Sequence, residues 1–526
     1  ALALFDIDLR RIVVRTKGGE AADVIHLTDR RGRKITDPRR LAELKAATAL
    51  VGQFTHLLPH SPDPRRALIN FSELLETLFR REDWVEEVSR LGRSDVLTAV
   101  AGVLGVSDFL WHDFLRLQHE NLFPVVADPG ALDRRRARAE LEVELNHEFA
   151  GATNDREGAR RALNRFKDRA MFRTDMRHIL GKTKSGSATA FSAFAEELTD
   201  IAEIAINAAV RLALVDLERN YGRPIAADGA PVPVAVCALG KCGGRELGFA
   251  SDIELLVVYE QDGATTGGRR GELGVAEFYG KFVKQLKDSV EARREGIFEL
   301  DFRLRPYGRA GSAAVRLETF LDYFGPGGAA WPYERQALIK LRPIAGDRII
   351  GERHVQSRDE LLLGGAPADR AAVLAMREKQ LRQLVTPGSI NAKLSPGGLV
   401  DVEYLVQVLQ WEHGGDDPEL RTPGTLAALT ALHAGGFLPT ADHDALRDAY
   451  GFLRSLINAL RVVRGNAKDL TAPSPGTEEF AFLARRLGYS RSAGGRPARE
   501  RLAADMDHHL ECVRDVVQRH FPPPGP

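Results

Sequence analysis

Cysteine is scarce in this chain: Cys237, Cys242 and Cys512 are its three thiols among 526 residues, and no two form a Cys-x-x-Cys pair. Scattered thiols in so long a chain exclude a disulfide framework and fit a reducing compartment, so a cytoplasmic location is expected. An excess of one charge is also missing, because 73 Lys and Arg balance 73 Asp and Glu for a formal net charge of +0. That balance removes the electrostatic case for general binding to nucleic acid or an anionic membrane, and neither partner is expected. A local basic groove stays compatible with it. Long apolar runs are absent. Stretches such as Val234–Leu239 are strand-sized, well short of the ~18–20 residues that span a bilayer. Ala1–Phe5 has neither a basic leader nor a long apolar segment, so no signal peptide is expected there. The missing initial Met is compatible with a piece of a longer chain.

What is present is ordinary globular material, 44% hydrophobic and 28% charged, in a length that predicts three or four domains at ~150 residues each. Arg11–Thr16 and Asp23–Thr28 are rich in β-branched residues and read as two strands around Gly18-Gly19. Asp37 caps a helix with Pro38 in its first turn, running to about Val51. From about Asp63 to Tyr221 apolar residues recur at helical spacing, as in Leu68, Phe71, Leu74, Leu75 and Leu78. The basic run Arg134–Arg138 reads as a solvated helix face.

The period changes after Tyr221. Pro231–Leu239, Ile253–Tyr259 and Ile297–Leu304 read as strands, with a helix over Gly274–Glu295 between the last two. From about Asp369 helices return, broken at Pro387-Gly388, Pro396-Gly397-Gly398, Gly414-Gly415 and Pro473–Gly476. The tail Pro522–Pro526 is expected to be disordered.

The chemistry concentrates in Ala238–Tyr259, ALGKCGGRELGFASDIELLVVY. A strand runs into Gly240 and Gly243-Gly244, and the next strand carries Asp252 and Glu254, which share a face. Two adjacent carboxylates are costly unless a cation neutralises them, and oxygen ligands of this kind suit Mg²⁺. Glycines let backbone N–H groups approach a phosphate closely, which makes Gly243 and Gly244 candidate nucleotide contacts. A third strand supplies Asp301, with Glu299, Arg303 and Arg305 on the same face. Three carboxylates fit metal-assisted phosphoryl transfer, and Arg303 and Arg305 suit bidentate phosphate contacts. Taken singly, a glycine pair can be a turn and alternating charges can be a solvated strand; the ordered set Gly-Gly, Asp-x-Glu, then Asp is far more specific.

That order resembles the DNA polymerase β nucleotidyltransferase superfamily and, more closely, the glutamine synthetase adenylyltransferase family. The resemblance is carried by GKCGGREL at Gly240–Leu247, SDIELL at Ser251–Leu256 and DFRLRPYGRAG at Asp301–Gly311. WPYERQALIKLRPIAGD at Trp331–Asp347, KLSPGGLVDVEYLVQ at Lys393–Gln407 and RRALNRFKDRAMFR at Arg160–Arg173 extend it over roughly residues 63–490. It implies a Mg²⁺-dependent enzyme that adds AMP to a tyrosine of glutamine synthetase from ATP, or removes it with phosphate to release ADP, and so regulates nitrogen assimilation. Asp252, Glu254 and Asp301 would be both catalytic and metal-binding. One such domain is visible, so one direction is expected, and which one is open. The family usually has Asp where this chain has Glu254; the extra methylene shifts the metal geometry. The alternatives are a degenerate module that binds nucleotide without turnover, or a nucleotidyltransferase acting on another substrate.

Glu334, Arg335 and Lys340 read as charges on a solvated helix face, beside a substrate-side role that the resemblance implies. Lys393 and Gly397-Gly398 before Asp401 and Glu403 read either as an anion contact or as a capped helix start. The N-terminal FDIDLRRIVVRTKGGEAADVIHLTDRRGRKITDPRRLAELKAA resembles the later part of an ACT domain, like those ending PII uridylyltransferases. Glutamine and a PII-type signal protein are the effectors this implies. The expected architecture is therefore mixed α and α+β. Residues 1–55 form a partial ACT-like ferredoxin fold, 56–225 a helical domain, 226–350 a polymerase β-like nucleotidyltransferase domain and 351–526 a C-terminal helical bundle. Gly181-Lys182-Thr183 is no P-loop, because position 176 is Met176 rather than Gly. His56 and His60 lack a third ligand, and His508-His509 is expected to be exposed.

Overall fold

The computed structural model describes residues 7–17, 20–57, 64–80, 84–85, 134–153, 155–180, 188–292, 297–364, 367–464, 469–489 and 495–521. Gly18-Gly19, His60, Gly181–Thr183 and the tail 522–526 lie outside them. The architecture is mixed and helix-rich with small sheets. No helix among the described residues is long and apolar enough to cross a membrane. The chain divides into two compact units, one of Ala1–Arg134, Met176–Lys182 and Val462–Gly465, the other of Arg135–Asp175, Thr183–Arg461 and Asn466–Pro526.

In the first unit β1 (Ile7–Lys17) pairs antiparallel with β2 (Glu20–Asp29) from Ile7↔Asp29 to Lys17↔Glu20. The Asp29 carboxylate then closes the turn by accepting the N–H groups of Arg31 and Arg33 at 2.9 and 2.8 Å. Helices α1 (Pro38–Leu57) and α2 (Pro64–Phe79) follow, and Phe54 stacks on Phe71 at 3.9 Å.

In the second unit α3 (Arg138–Ala150), α4 (Arg156–Leu180) and α5 (Ala188–Tyr221) precede the strands. β3 (Pro224–Ala226) leads to β4 (Val234–Ala238), a one-turn helix α6 (Gly240–Gly243), and β5 (Ile253–Tyr259). β6 (Gly263–Thr265) pairs with β3, and α7 (Val275–Ser289) leads to the two-residue β7 (Leu300–Asp301). β8 (Ala314–Arg316), α8 (Leu317–Phe324), α9 (Pro332–Ala337) and β9 (Arg342–Gly346) complete the sheet region. The sheet order is β7-β5-β4-β9, with β8 also on β5. β4 runs antiparallel to both neighbours, whereas β7 and β8 run parallel to β5. Every β4 residue is buried, which is why VAVCA is an unbroken apolar run instead of an alternating one. Ala235, Cys237, Leu256 and Val258 face a core shared with Phe320, Phe324 and Ile350, the last on α10 (Arg348–Leu362).

After α11 (Arg370–Leu384), the helices α12 (Leu399–His413), α13 (Thr425–Ala434), α14 (Thr440–Arg464), α15 (Glu478–Arg486) and α16 (Ala498–His520) enclose a second core. Leu405, Leu429, Leu453, Phe480 and Leu510 meet there.

Four sequence expectations are corrected. Arg135, Arg136 and Arg138 are not a solvated face. Arg135 binds Glu196 and Asp200, Arg136 is buried against Glu144, and Arg138 binds Glu203. Their partners lie up to 65 residues away, so sequence spacing cannot reveal them. Lys340, read as solvated, is buried. The strand expected over Ile297–Leu304 is regular only at Leu300–Asp301, because Phe298 has a left-handed φ of 55° and interrupts it after a single bridge at Ile297, and the chain turns after Asp301. His508 is exposed as expected, but His509 is half-buried and stacks on Phe452 at 4.4 Å.

Candidate active site

The site is built where β4 ends. Gly240 has a left-handed φ of +51°, and a Cβ there would fall 1.4 Å from Glu254 Oε2. The Glu254 carboxylate therefore lies directly against this glycine, leaving no room for a side chain. At Gly243 a Cβ would fall 1.9 Å from the Lys340 carbonyl oxygen, so this glycine admits the backbone that leads into β9. The Leu239 N–H donates to the Glu254 carbonyl at 2.9 Å, tying the loop to the start of β5.

The short parallel ladder between β5 and β7 sets Ile253 opposite Leu300 and Glu254 opposite Asp301. Asp252 and Asp301 line a cavity of about 760 Å³, whose walls carry Lys241, Lys287, Arg303, Arg305, Arg309, Lys393 and Arg461. Acid at the strand ends and cations around it match the charge pattern of a polyphosphate with its counter-ion. Among the described residues Asp252, Glu254, Lys241, Lys287, Arg309 and Lys393 make no side-chain hydrogen bond or ion pair.

Burial, and then the neighbouring charge of Asp252, push the Glu254 carboxyl above its usual range. Burial would also raise Asp301, but hydrogen bonds from Arg303 outweigh it and hold that carboxyl below the usual range. Arg303 Nε reaches both Asp301 oxygens at 2.9 and 2.8 Å. Lys241 is driven well below the ordinary lysine value by burial and by Arg461, Lys393 and Arg454, with Asp252 opposing. Burial, with Arg454 beside it, brings Arg461 down to about 10. With Asp301 engaged by Arg303, no group of three His, Cys, Asp or Glu side chains among the described residues is placed to hold a metal ion. The donor chemistry of Asp252, Glu254 and Asp301 nevertheless fits a hard divalent cation, since all three are oxygen acids and Glu254 carries an uncompensated charge penalty.

Behind the same loop each charged side chain meets a partner of opposite charge or a loop carbonyl. Lys340 Nζ reaches Glu246 Oε2 at 2.5 Å and Thr425 Oγ1 at 3.2 Å, all buried. Arg342 donates to the carbonyls of Gly243 and Cys242 at 2.8 and 2.9 Å and pairs with Glu203 at 2.6 Å. Arg245 binds Asp200 and Glu203 at 2.8 and 3.0 Å. From α14, Arg454 donates to the Glu246 carbonyl, Asn458 accepts the Phe249 N–H at 3.2 Å, and Arg461 donates to the Phe249 carbonyl at 2.9 Å. The spacing 454, 458, 461 is one helical stripe.

The structure thus brings together Asp252, Glu254, Asp301, Arg303 and Arg305. Gly243 and Gly244 do not line the cavity; Gly244 borders a separate pocket of about 340 Å³ with Arg245, Arg342 and Tyr450. Arg305 also fastens its own turn, donating to the Gly311 and Phe302 carbonyls. Lys241, Lys287, Arg309 and Arg461 were not singled out by sequence reasoning. Lys241 stood inside the GKCGG block and Arg309 inside DFRLRPYGRAG, but Lys287 and Arg461 lie in separate segments with no local motif.

Residues 97–357 match the family model described as glutamate-ammonia ligase adenylyltransferase. Residues 370–521 match that of the GlnD PII-uridylyltransferase. Among curated proteins the chain is similar to bifunctional glutamine synthetase adenylyltransferase/adenylyl-removing enzymes. That of Hahella chejuensis is 30% identical over 444 residues, covering 81% of this chain and 42% of the relative. That of Burkholderia pseudomallei is 32% identical over 401 residues (73% and 41%). That of Xanthobacter autotrophicus is 31% identical over 475 residues (86% and 45%). The chain spans about two fifths of the length of these relatives. With these matches reaching over most of its length, the chain belongs to the glutamine synthetase adenylyltransferase/adenylyl-removing enzyme family.

Proposed function

We propose that the cavity at Asp252, Glu254 and Asp301 is a nucleotidyltransferase centre that moves AMP onto or off a tyrosine of glutamine synthetase. The observation that carries this reading is the pairing of Glu254 with Asp301 on adjacent strands, where Asp301 and Asp252 line a cavity walled by cations and Glu254 stands behind them against Gly240. The names of the relatives supply the protein substrate. The sheet with its helices is read as a polymerase β-like core, comprising residues 226–350 between a helical domain at 56–225 and a bundle at 351–526. Residues 1–55, a β-hairpin followed by a helix, are read as an ACT-like regulatory part, with glutamine and a PII-type protein as effectors.

Asp252 and Glu254, joined by Asp301, are the residues that would hold Mg²⁺, whose chemistry is charge neutralisation at the transferring phosphoryl group. Arg303 is 63% exposed and can leave Asp301 when that carboxylate is needed. Lys241, Lys393 and Arg461 bind the non-transferring phosphates, which satisfies side chains otherwise without anions. In addition, the acceptor hydroxyl gives its proton to Asp301 as its oxygen bonds to the α-phosphorus of ATP, and pyrophosphate leaves. In removal, an oxygen of hydrogen phosphate bonds to the phosphorus of the tyrosyl-AMP, the bond to the tyrosine oxygen breaks, that oxygen takes the proton the phosphate gives up, and ADP is released. A binding module without turnover is the competing reading, favoured by the Arg303–Asp301 contact. Transfer of label from ATP to glutamine synthetase, and phosphate-dependent ADP release from the AMP-modified enzyme, test both directions. Failure of both, with ATP still bound, selects the competing reading.

A further inference from the structure

Beyond Arg305 the chain leaves the cavity through Tyr307, whose φ is 60° and whose side chain is 58% exposed. A bulky left-handed residue persists only where its surroundings hold it there. Here the Tyr307 ring meets the edge of Tyr323 at 4.8 Å, and the Tyr323 hydroxyl donates to Glu334 at 3.1 Å. Glu334 in turn accepts the Trp331 N–H at 2.9 Å, and Arg335 fixes the same turn by donating to the Phe324 and Gly325 carbonyls at 2.9 Å.

This scaffold presents aromatic rings outward. Trp331 is 65% and Tyr333 37% exposed, their rings stacked 6.4 Å apart at 19°. A tryptophan that exposed contributes little to the core, and rigid aromatic pairs on a surface mark contact sites. Arg305 and Arg309, on either side of Tyr307, both line the cavity, so the aromatic segment is continuous with its rim. None of the three rings lines the cavity itself, so a nucleotide seated there leaves them uncovered. Their occupant must extend out of the cavity, as a polypeptide does.

We infer that Tyr307, Trp331 and Tyr333 are the docking platform for the polypeptide that carries the acceptor tyrosine, and that Arg303 and Arg309 at its edge select an acidic stretch beside that residue. The inference rests on the AMP-transfer reading, and the platform serves addition and removal alike. The test is the double substitution Trp331→Ala with Tyr333→Ala in the full chain. Its fold should persist, because the bond to Glu334 comes from the Trp331 backbone. With glutamine synthetase, unmodified or AMP-modified according to direction, the KM for that protein should rise about tenfold or more. The maximal rate and the KM for ATP or phosphate should stay within about twofold on the same argument. Raising the salt should weaken the wild type and weaken Arg309→Ala less. An unchanged KM for glutamine synthetase overturns the inference, and so does a parallel rise in the KM for ATP, which would make the rings a nucleotide subsite. If the wild type neither adds nor removes AMP, the AMP-transfer reading fails. Calorimetry of wild type and double variant with glutamine synthetase then decides the platform by itself. Binding lost in the variant supports it, whereas equal binding or none by the wild type overturns it.

Discussion

The loop from Gly240 to Asp252 has charged residues on both of its faces, and the two faces treat them differently. Behind it, Lys340, Arg245 and Arg342 each have a carboxylate partner, and the loop carbonyls are met by Arg342, Arg454 and Arg461. In front, the side chains of Lys241, Lys393, Asp252 and Glu254 make no hydrogen bond or ion pair among the described residues. Residue types are nearly the same on the two sides, so composition does not distinguish structure from site. Pairing does: a network in which every charged side chain has a partner rigidifies, and charges left unpaired and half-buried are affordable only where a ligand will meet them.

The sharpest test of this contrast is to remove front-face charge. Asp252→Asn or Asp301→Asn should reduce AMP transfer by about three orders of magnitude or more, with the melting curve preserved. Near-normal rates in either variant would remove that residue from the site. The back face should respond in the opposite sense. Lys340→Met strands Glu246 in the interior and should cost about 3–5 kcal/mol in denaturant unfolding. Burial alone would raise the Glu246 carboxyl, but Lys340 and Arg454 outweigh it and hold it low. The pair's contribution is thus present above the ordinary glutamate value and lost as pH falls through the lower folded value. The variant should therefore show a shallower loss of stability in acid than the wild type.

Gly240 lies on the boundary between the two faces. Gly240→Ala should cost about 1–2 kcal/mol for its left-handed backbone and lower activity by displacing the Glu254 carboxylate. Adding Glu254→Asp, whose shorter chain makes room for the methyl group, should recover part of that activity; no recovery would mean that the clash is not what matters. By itself Glu254→Asp should remain active and Glu254→Gln should lose most activity. The mildest effect is expected for Lys393→Ala, an increase of about tenfold in the KM for ATP, matching one lost charge-assisted contact, with unchanged thermal stability.

Legibility in the sequence followed the range of the interactions. The Asp-x-Glu on β5 is a local pattern of period two, and reading both residues onto one strand end needed nothing beyond the pleat. Asp301 was legible because it also sat at a strand, although only two of the eight residues expected to be extended form a regular strand there. The left-handed φ at Gly240 was hidden, since a glycine before a glycine pair looks like any turn, and the pair Gly243 and Gly244 is the more conspicuous feature of the sequence. Lys340 was misread because its partner Glu246 lies 94 residues away. Arg461 and Lys287 reach the cavity from helices whose sequence is dominated by core packing, so their role is a property of the assembled fold.

The stripe Arg454, Asn458 and Arg461 has a consequence for inheritance. The two family matches part between residues 357 and 370, a seam that separates two independently recognised segments. All three acids lie before the seam, but the side chains that pin the Glu246–Phe249 backbone lie after it, on α14. A lineage that exchanged the downstream half for another helical bundle would keep every carboxylate and lose the mount that steadies the loop behind them. The two halves can therefore be reassorted only as a pair already fitted to each other, and substitutions at 454, 458 or 461 should travel with changes between 246 and 249.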